Sequence, residues 1–323
     1  MTTFPVGNRI ALRNILYLTD FSGPSEAALP FCLSVAREYG AFVHAFHVLT
    51  PTTLAYTTPE LAASTMEAEE EKAEIEMQRL ESQLSGVPHE TTVKRGYDVW
   101  PAVEDAILEL KADLIVLGTH GRTGAQKLIM GSVAEEVFRR SPIPVLTIGP
   151  AVTRGLHNSA HFHRILFATD FTTDSLAATP WAVSMAQEHQ ADLILLNVIH
   201  RHDWAAGPRL AEETVAQSLH QLQGIVPAAA ELWCRPQALV QYGDPARKIL
   251  ETEHERGVDL IVLGVREASG YLGATTHLAR TTAQNVVAHA RCPVLTVRGQ
   301  KASVACAAER RTAPAWLTPE VVI

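Results

Sequence analysis

The chain of 323 residues is 47% hydrophobic, 19% charged and 6% aromatic, a globular composition that excludes a disordered, collagenous or coiled-coil protein. At roughly 150 residues per domain there is room for two domains, each able to bury a core of its own. A formal net charge of -8 leaves no basic surface to neutralise phosphates, so no nucleic-acid partner is expected. Cys32, Cys234, Cys292 and Cys306 lie far apart and form no CxxC pair, which points away from a disulfide framework or zinc ribbon and toward a reducing compartment. The N-terminal stretch Met1 to Arg9 lacks the basic start and apolar core of a signal peptide, and no apolar run reaches the ~20 residues of a membrane helix. A soluble cytoplasmic protein without a membrane partner is the expectation.

In chain order, runs rich in Val, Ile and Leu at 15–19 and 42–48 predict strands, with a helix between them closed by Tyr39-Gly40, the glycine at C′. Residues 67–85 predict a helix with Ala73, Met77, Leu80 and Leu84 inward and a solvated, glutamate-rich outer face. Val103, Ala106, Ile107 and Leu110 fall at i, i+3, i+4 and i+7 and predict another helix, leading into strands at 114–118 and 143–148. Continuous apolar runs, rather than strict alternation, fit strands covered on both faces, as in a parallel sheet flanked by helices.

The same elements recur. Ile15-Leu-Tyr-Leu-Thr-Asp-Phe21 returns as Ile165-Leu-Phe-Ala-Thr-Asp-Phe171, carrying Pro30 onto Pro180 and His47-Val48 onto Asn197-Val198. Asp113-Leu-Ile-Val-Leu-Gly118 returns as Asp259-Leu-Ile-Val-Leu-Gly264, and Pro144-Val-Leu-Thr147 as Pro293-Val-Leu-Thr296. A repeat as long as a domain means tandem copies of one fold rather than a solenoid. The expected class is therefore α/β, with two tandem doubly wound domains at 9–149 and 164–298, a linker at 150–163 and a mobile, patternless tail at 299–323. His157, His161 and His163 in the linker lack a companion carboxylate or thiolate, so a solvated segment is preferred to a metal site.

After the strand at 114–117 comes Gly118-Thr-His-Gly121-Arg-Thr-Gly124, and then Gly131-Ser132 opening a helix. Glycines let the backbone approach a ligand closely, so that successive N–H groups face phosphate oxygens. Ser132 and Glu135 have the spacing of a capping box, which would set the positive end of a helix dipole beside that loop, with Arg139 and Arg140 at the far end. The glycines alone would equally serve a tight turn and a packing contact. The loop is neither a Walker A sequence nor a first-strand dinucleotide fingerprint. His47 and His120 have no nucleophile elbow near them, which favours core or pocket-wall roles.

The G-x2-G-x9-G-[ST] loop, the Thr-Asp-Phe ending the first strand and the His-Val ending the second resemble the universal stress protein family over nearly both copies. The resemblance implies a five-stranded parallel sheet with helices on both faces (adenine nucleotide alpha hydrolase-like). It also implies ATP held at the carboxyl ends of strands one and four, with Mg²⁺ left open. Carried over, Thr19 and Asp20 meet the adenine or ribose side, Val48 lies by the adenine, and Gly118, Gly121, Gly131, Ser132 and Val133 hold ribose and phosphates. Arg122 is a phosphate clamp or an exposed loop cation, and Asp20 is a ligand or a helix cap. Leu18 stands where many members have proline.

A cytoplasmic, ATP-binding regulatory or stress-response module follows, a binder before an enzyme, with weak ATPase activity at most. The alternatives are a nucleotide hydrolase or transferase on the same fold, and a scaffold with a vestigial site. Pro142 to Ile148 and Arg291 to Val297 are expected as apolar edge strands that pair the repeats into an intramolecular pseudo-dimer, with dimerisation of whole chains left open. Only the first copy is expected to bind nucleotide. After Gly264 the second reads Val-Arg-Glu267, and alignment sets Arg280-Thr281 against Gly131-Ser132.

Overall fold

A computed structural model describes residues 10–50, 59–119, 130–152, 161–200, 208–227, 234–266, 281–299 and 318–322. They fall into two compact units, one of Ala11–Pro150 and one centred on His161–Ile323. The N-terminal unit runs β1 (Asn14–Leu18), α1 (Gly23–Glu26), α2 (Leu29–Tyr39), β2 (Phe42–Leu49), α3 (Pro59–Gln83), β3 (His89–Arg95), α4 (Val99–Glu109), β4 (Leu114–Gly118), α5 (Ser132–Arg140) and β5 (Val145–Ile148). Its strands are ordered β5-β4-β1-β2-β3, all parallel. Chain direction across the sheet reverses after β3, and right-handed crossovers then lay the helices before and after the reversal on opposite faces. The reversal opens a crevice at the carboxyl ends of β1 and β4, the switch point of a doubly wound sheet.

The C-terminal unit runs β6 (Arg164–Ala168), α6 (Thr173–Leu176), α7 (Thr179–Glu188), β7 (Asp192–Ile199), α8 (Pro208–Gln223), β8 (Gln237–Tyr242), α9 (Pro245–Arg256), β9 (Leu260–Val265), α10 (Thr282–His289), β10 (Val294–Arg298) and β11 (Thr318–Val322). Its order is β11-β8-β7-β6-β9-β10, again parallel, with the switch point between β6 and β9.

The central strands are apolar because both faces are covered: Ile15–Leu18 and Leu114–Leu117 are all buried, as are Ile165–Ala168 and Leu260–Leu263. On α3, Ala73, Met77, Leu80 and the following Leu84 point inward as the periodicity predicts. Gly40 closes α2 at φ 64, a left-handed geometry that a Cβ disfavours. Two elements went unsignalled. β3, His-Glu-Thr-Thr-Val-Lys-Arg, is only partly buried at one margin of its unit's strand order, so no apolar run marks it. β11 corrects the expected tail: Thr318–Val322 is a strand paired with β8 in the register Thr318 to Gln237, while 300–317 lie outside the described residues. No helix among the described residues is long and apolar enough to cross a membrane.

Candidate functional site

The repeated Thr-Asp-Phe is a turn locked by its own side chains. Phe21 sits at φ 59, unfavourable for an aromatic residue, and is held there because its N–H donates to Thr19 Oγ1 at 3.0 Å. Asp20 Oδ1 accepts from Ser22 N at 3.0 Å and Ser22 Oγ at 2.5 Å, and Ser22 caps α1. The C-terminal unit repeats this with Phe171 at φ 61, Thr169 and Asp170. Asp20 is therefore a turn anchor in both readings, and its position at the crevice decides what else it does. Burial opposes ionisation of Asp170, but hydrogen bonds from Thr172 and Ser175 outweigh it and hold the carboxyl below its ordinary range.

His47 supports the same turn. Its Nδ1 lies 2.7 Å from the Thr19 carbonyl, which places the proton on Nδ1, and its ring packs on Phe21 at 4.5 Å. Asn197 does the equivalent job by donating from Nδ2 to the Thr169 carbonyl at 2.8 Å. An amide replaces an imidazole without loss of the bond, so acid-base chemistry is not what the position requires.

A cavity of about 150 Å³ at the ends of β1 and β4 brings together Thr19, Asp20, Val48, Gly118, Gly131, Ser132 and Val133, with His47 beside them. Val103, which the sequence marks only as part of a helix's apolar face, and Val99, which it does not single out, also line it. Gly121, Arg122, His120 and Gly124 lie outside the described residues. Gly118 is glycine for a packing reason: a Cβ would stand 2.3 Å from the Pro24 carbonyl oxygen, as one at Gly264 would stand 2.2 Å from that of Asp174.

The capping expectation is corrected. The N-cap of α5 is Gly131, at φ -62 and ψ 153, and no side chain caps the helix. Ser132 is already the first helical residue, one position too late to reach back. Gly131 N donates to the Thr119 carbonyl at 2.7 Å, and the first-turn residues Ser132, Val133 and Ala134 line the cavity at a helix end with no side-chain cap among the described residues. The Gly131 backbone is not left-handed, so any residue fits its dihedrals and only space limits what stands there.

A second cavity, of about 220 Å³, lies at the ends of β6 and β9, among Thr169, Asp170, Val198, Gly264, Arg266, Thr282 and Ala283. Here the helix end carries a side-chain cap. Thr281 caps α10 in a full capping box: Gln284 N donates to Thr281 Oγ1 at 3.2 Å and Thr281 N donates to Gln284 Oε1 at 3.0 Å. Arg280, the aligned partner of Gly131, lies outside the described residues.

Two segments of the chain, 11–149 and 161–298, match the model of the universal stress protein family. The chain belongs to that family. A universal stress protein of Mycolicibacterium smegmatis is 25% identical over 300 residues, covering 88% of this chain and 96% of the relative. One from Methanocaldococcus jannaschii is 31% identical over 140 residues, 42% of this chain and 81% of the relative. The crystal structure of a universal stress protein from Archaeoglobus fulgidus has the same fold, with a TM-score of 0.63 at 22% identity over 89% of this chain and 98% of that one. The tandem arrangement is thus a property of whole-length relatives and not of this chain alone.

Proposed function

We propose that the N-terminal unit of this universal stress protein binds ATP in the cavity at the ends of β1 and β4, and that occupancy makes the chain a nucleotide-dependent regulatory or stress-response module. The observation that carries the reading is the amino end of α5, which has no side-chain cap among the described residues and whose first residues Ser132 and Val133 line the cavity next to the Gly131 cap. Such an end is an anion site, since unsatisfied donors and the helix dipole favour the same charge. Asp20 and Thr19 offer oxygen acceptors for ribose hydroxyls, and Val48 an apolar wall for adenine. Gly131, at the cap of α5, leaves that edge of the cavity without a side chain. Gly121 and Arg122 are assigned to phosphate on the sequence pattern.

Among the described lining residues Asp20 is the one carboxylate. Phosphoryl transfer needs positioned charge and metal around the transferring group, which ATP would bring as its Mg²⁺ complex. One carboxylate already engaged in a turn supports binding with weak hydrolysis at most. Two family repeats in one chain support the internal pseudo-dimer, which disulfide trapping between engineered cysteines on β5 and β10 tests. For the ligand, the test is mass spectrometry of small molecules released by denaturing gently purified protein. ATP or ADP in the supernatant is expected, and ligand-free protein that also gives no heat with added ATP would refute the proposal.

A further inference from the structure

We infer that His161, His163 and His189 form a divalent transition-metal site in the C-terminal unit, with Zn²⁺ as the ion their spacing fits. The site lies at the amino ends of β6 and β7, and none of the three residues lines either cavity, so it stands or falls apart from the proposed ATP site. The histidines at 161 and 163 have no companion nearby in sequence, but the fold supplies one. α7 ends at Glu188, His189 is its C-cap, and Gln190 at φ 49 turns the chain into β7. Asp192 N then donates to the His163 carbonyl at 2.9 Å, which ties the start of β7 to the start of β6 and sets residues 161–163 beside the end of α7.

Nδ1 of His161 and Nδ1 of His189 face each other at 3.3 Å, with ring centroids 4.9 Å apart. That is long for a hydrogen bond, whose donor nitrogen usually sits about 2.9 to 3.0 Å from its acceptor. It is the separation of two imidazole ligands on one tetrahedral zinc, since Zn–N bonds of about 2.0 to 2.1 Å put neighbouring ligand nitrogens about 3.3 to 3.4 Å apart. His163 is exposed and stands edge-on to His161 with centroids 5.1 Å apart, so a change of its own rotamer brings a third nitrogen to the pair, and water completes the set. His189 is 1% exposed and packs on Phe162 at 4.8 Å, while its Nε2 has no partner among the described residues. Buried polar groups are ordinarily well bonded, and this ring has neither nitrogen in a good hydrogen bond with a described residue. Burial favours its neutral form, which is the form that coordinates metal. Imidazole donors select Zn²⁺, Cu²⁺ or Ni²⁺ over Ca²⁺ and Mg²⁺, which take oxygen. A bound ion would pin the segment entering β6 to the end of α7.

The test is equilibrium dialysis of the chelator-treated full chain against micromolar Zn²⁺, with bound metal measured by elemental analysis. One Zn²⁺ per chain is expected, and the urea midpoint of the C-terminal transition should rise with zinc because the ion binds the folded state alone. His189→Gln is expected to weaken binding at least tenfold. Since His189 is buried and that variant could lose its fold, His161→Ala, at a partly exposed position, provides a second one with the same expected loss and no zinc-dependent rise in the midpoint. His220→Ala, which removes an exposed histidine on α8, should leave zinc binding unchanged. No zinc retained, zinc held equally well by His161→Ala, or a loss in His220→Ala as large as that in His161→Ala would each overturn the inference, the last two meaning adventitious binding to surface histidines only.

Discussion

The two units keep the same strand order around their switch points and the same Thr-Asp-Phe turn, yet they finish the crevice in opposite ways. In the N-terminal unit the helix beside the cavity starts from Gly131, with no side-chain cap among the described residues. In the C-terminal unit the corresponding helix starts from Thr281, whose Oγ1 accepts from Gln284 N. The scaffold elements, Gly118 and Gly264 among them, are retained for packing and say nothing about ligand. What differs between the two crevices is the cap residue of the helix beside them, glycine in one and threonine in the other.

The sharpest way to break this contrast is Gly131→Arg, which puts at the α5 cap the residue that sequence alignment sets there, one position before the Thr281 cap of the second unit. The backbone at φ -62 tolerates the change, so the fold should survive while the side chain fills the cavity. ATP affinity is expected to fall at least a hundredfold in calorimetry. Unchanged binding would mean that phosphates do not sit at the α5 end.

A second difference is confined to the C-terminal unit. His189 is buried at 1% exposure, with Nε2 lacking a partner among the described residues and Nδ1 3.3 Å from Nδ1 of His161. Burial first, then the charges of His161 and His163, lowers its pKa from 6.5 to about 4. Between these values the unfolded chain binds the proton and the folded unit does not, so stability falls as pH drops through that window and levels off below it. The full loss is about 3 kcal/mol. Urea midpoints of the C-terminal transition at pH 7 and pH 4.5 check this, and His189→Leu should flatten the difference.

Gly118→Ala and Gly264→Ala sharpen the claim that these glycines serve packing. Each places a methyl against a carbonyl oxygen and should cost about 1 to 3 kcal/mol by denaturant unfolding, similarly in both units. A cost at Gly118 alone would restore a ligand-specific role. The smallest effect is expected for His47→Asn, which imports the Asn197 solution. Stability should change by less than about 1 kcal/mol, since one hydrogen bond to the Thr19 carbonyl replaces another, and ATP affinity by no more than a few-fold.

Much of this architecture is legible in the sequence, for physical reasons that also explain the gaps. β1 and β4 announce themselves because a strand covered on both faces must be apolar throughout. β3 does not, because a partly exposed strand needs no such run, and β11 follows a stretch of Ala, Arg, Thr and Pro that carries no period. The cavity's position follows from the strand order, and seven of the residues that the family resemblance implies there do line it: Thr19, Asp20, Val48, Gly118, Gly131, Ser132 and Val133. The cap was misplaced because a Ser-x-x-Glu spacing fits two registers, and only the extended backbone at Gly131 decides between them. The open C-terminal cavity had no signal, since the Val-Arg-Glu that replaces the glycine loop reads equally well as degeneration.

The asymmetry between the units is tested most directly by the stoichiometry of ATP binding to the whole chain. Titration calorimetry should give one ATP per chain, with no second event before millimolar concentrations. Two equivalent ATP sites per chain would contradict the account, because the self-capped α10 would then bind phosphate as readily as the open α5.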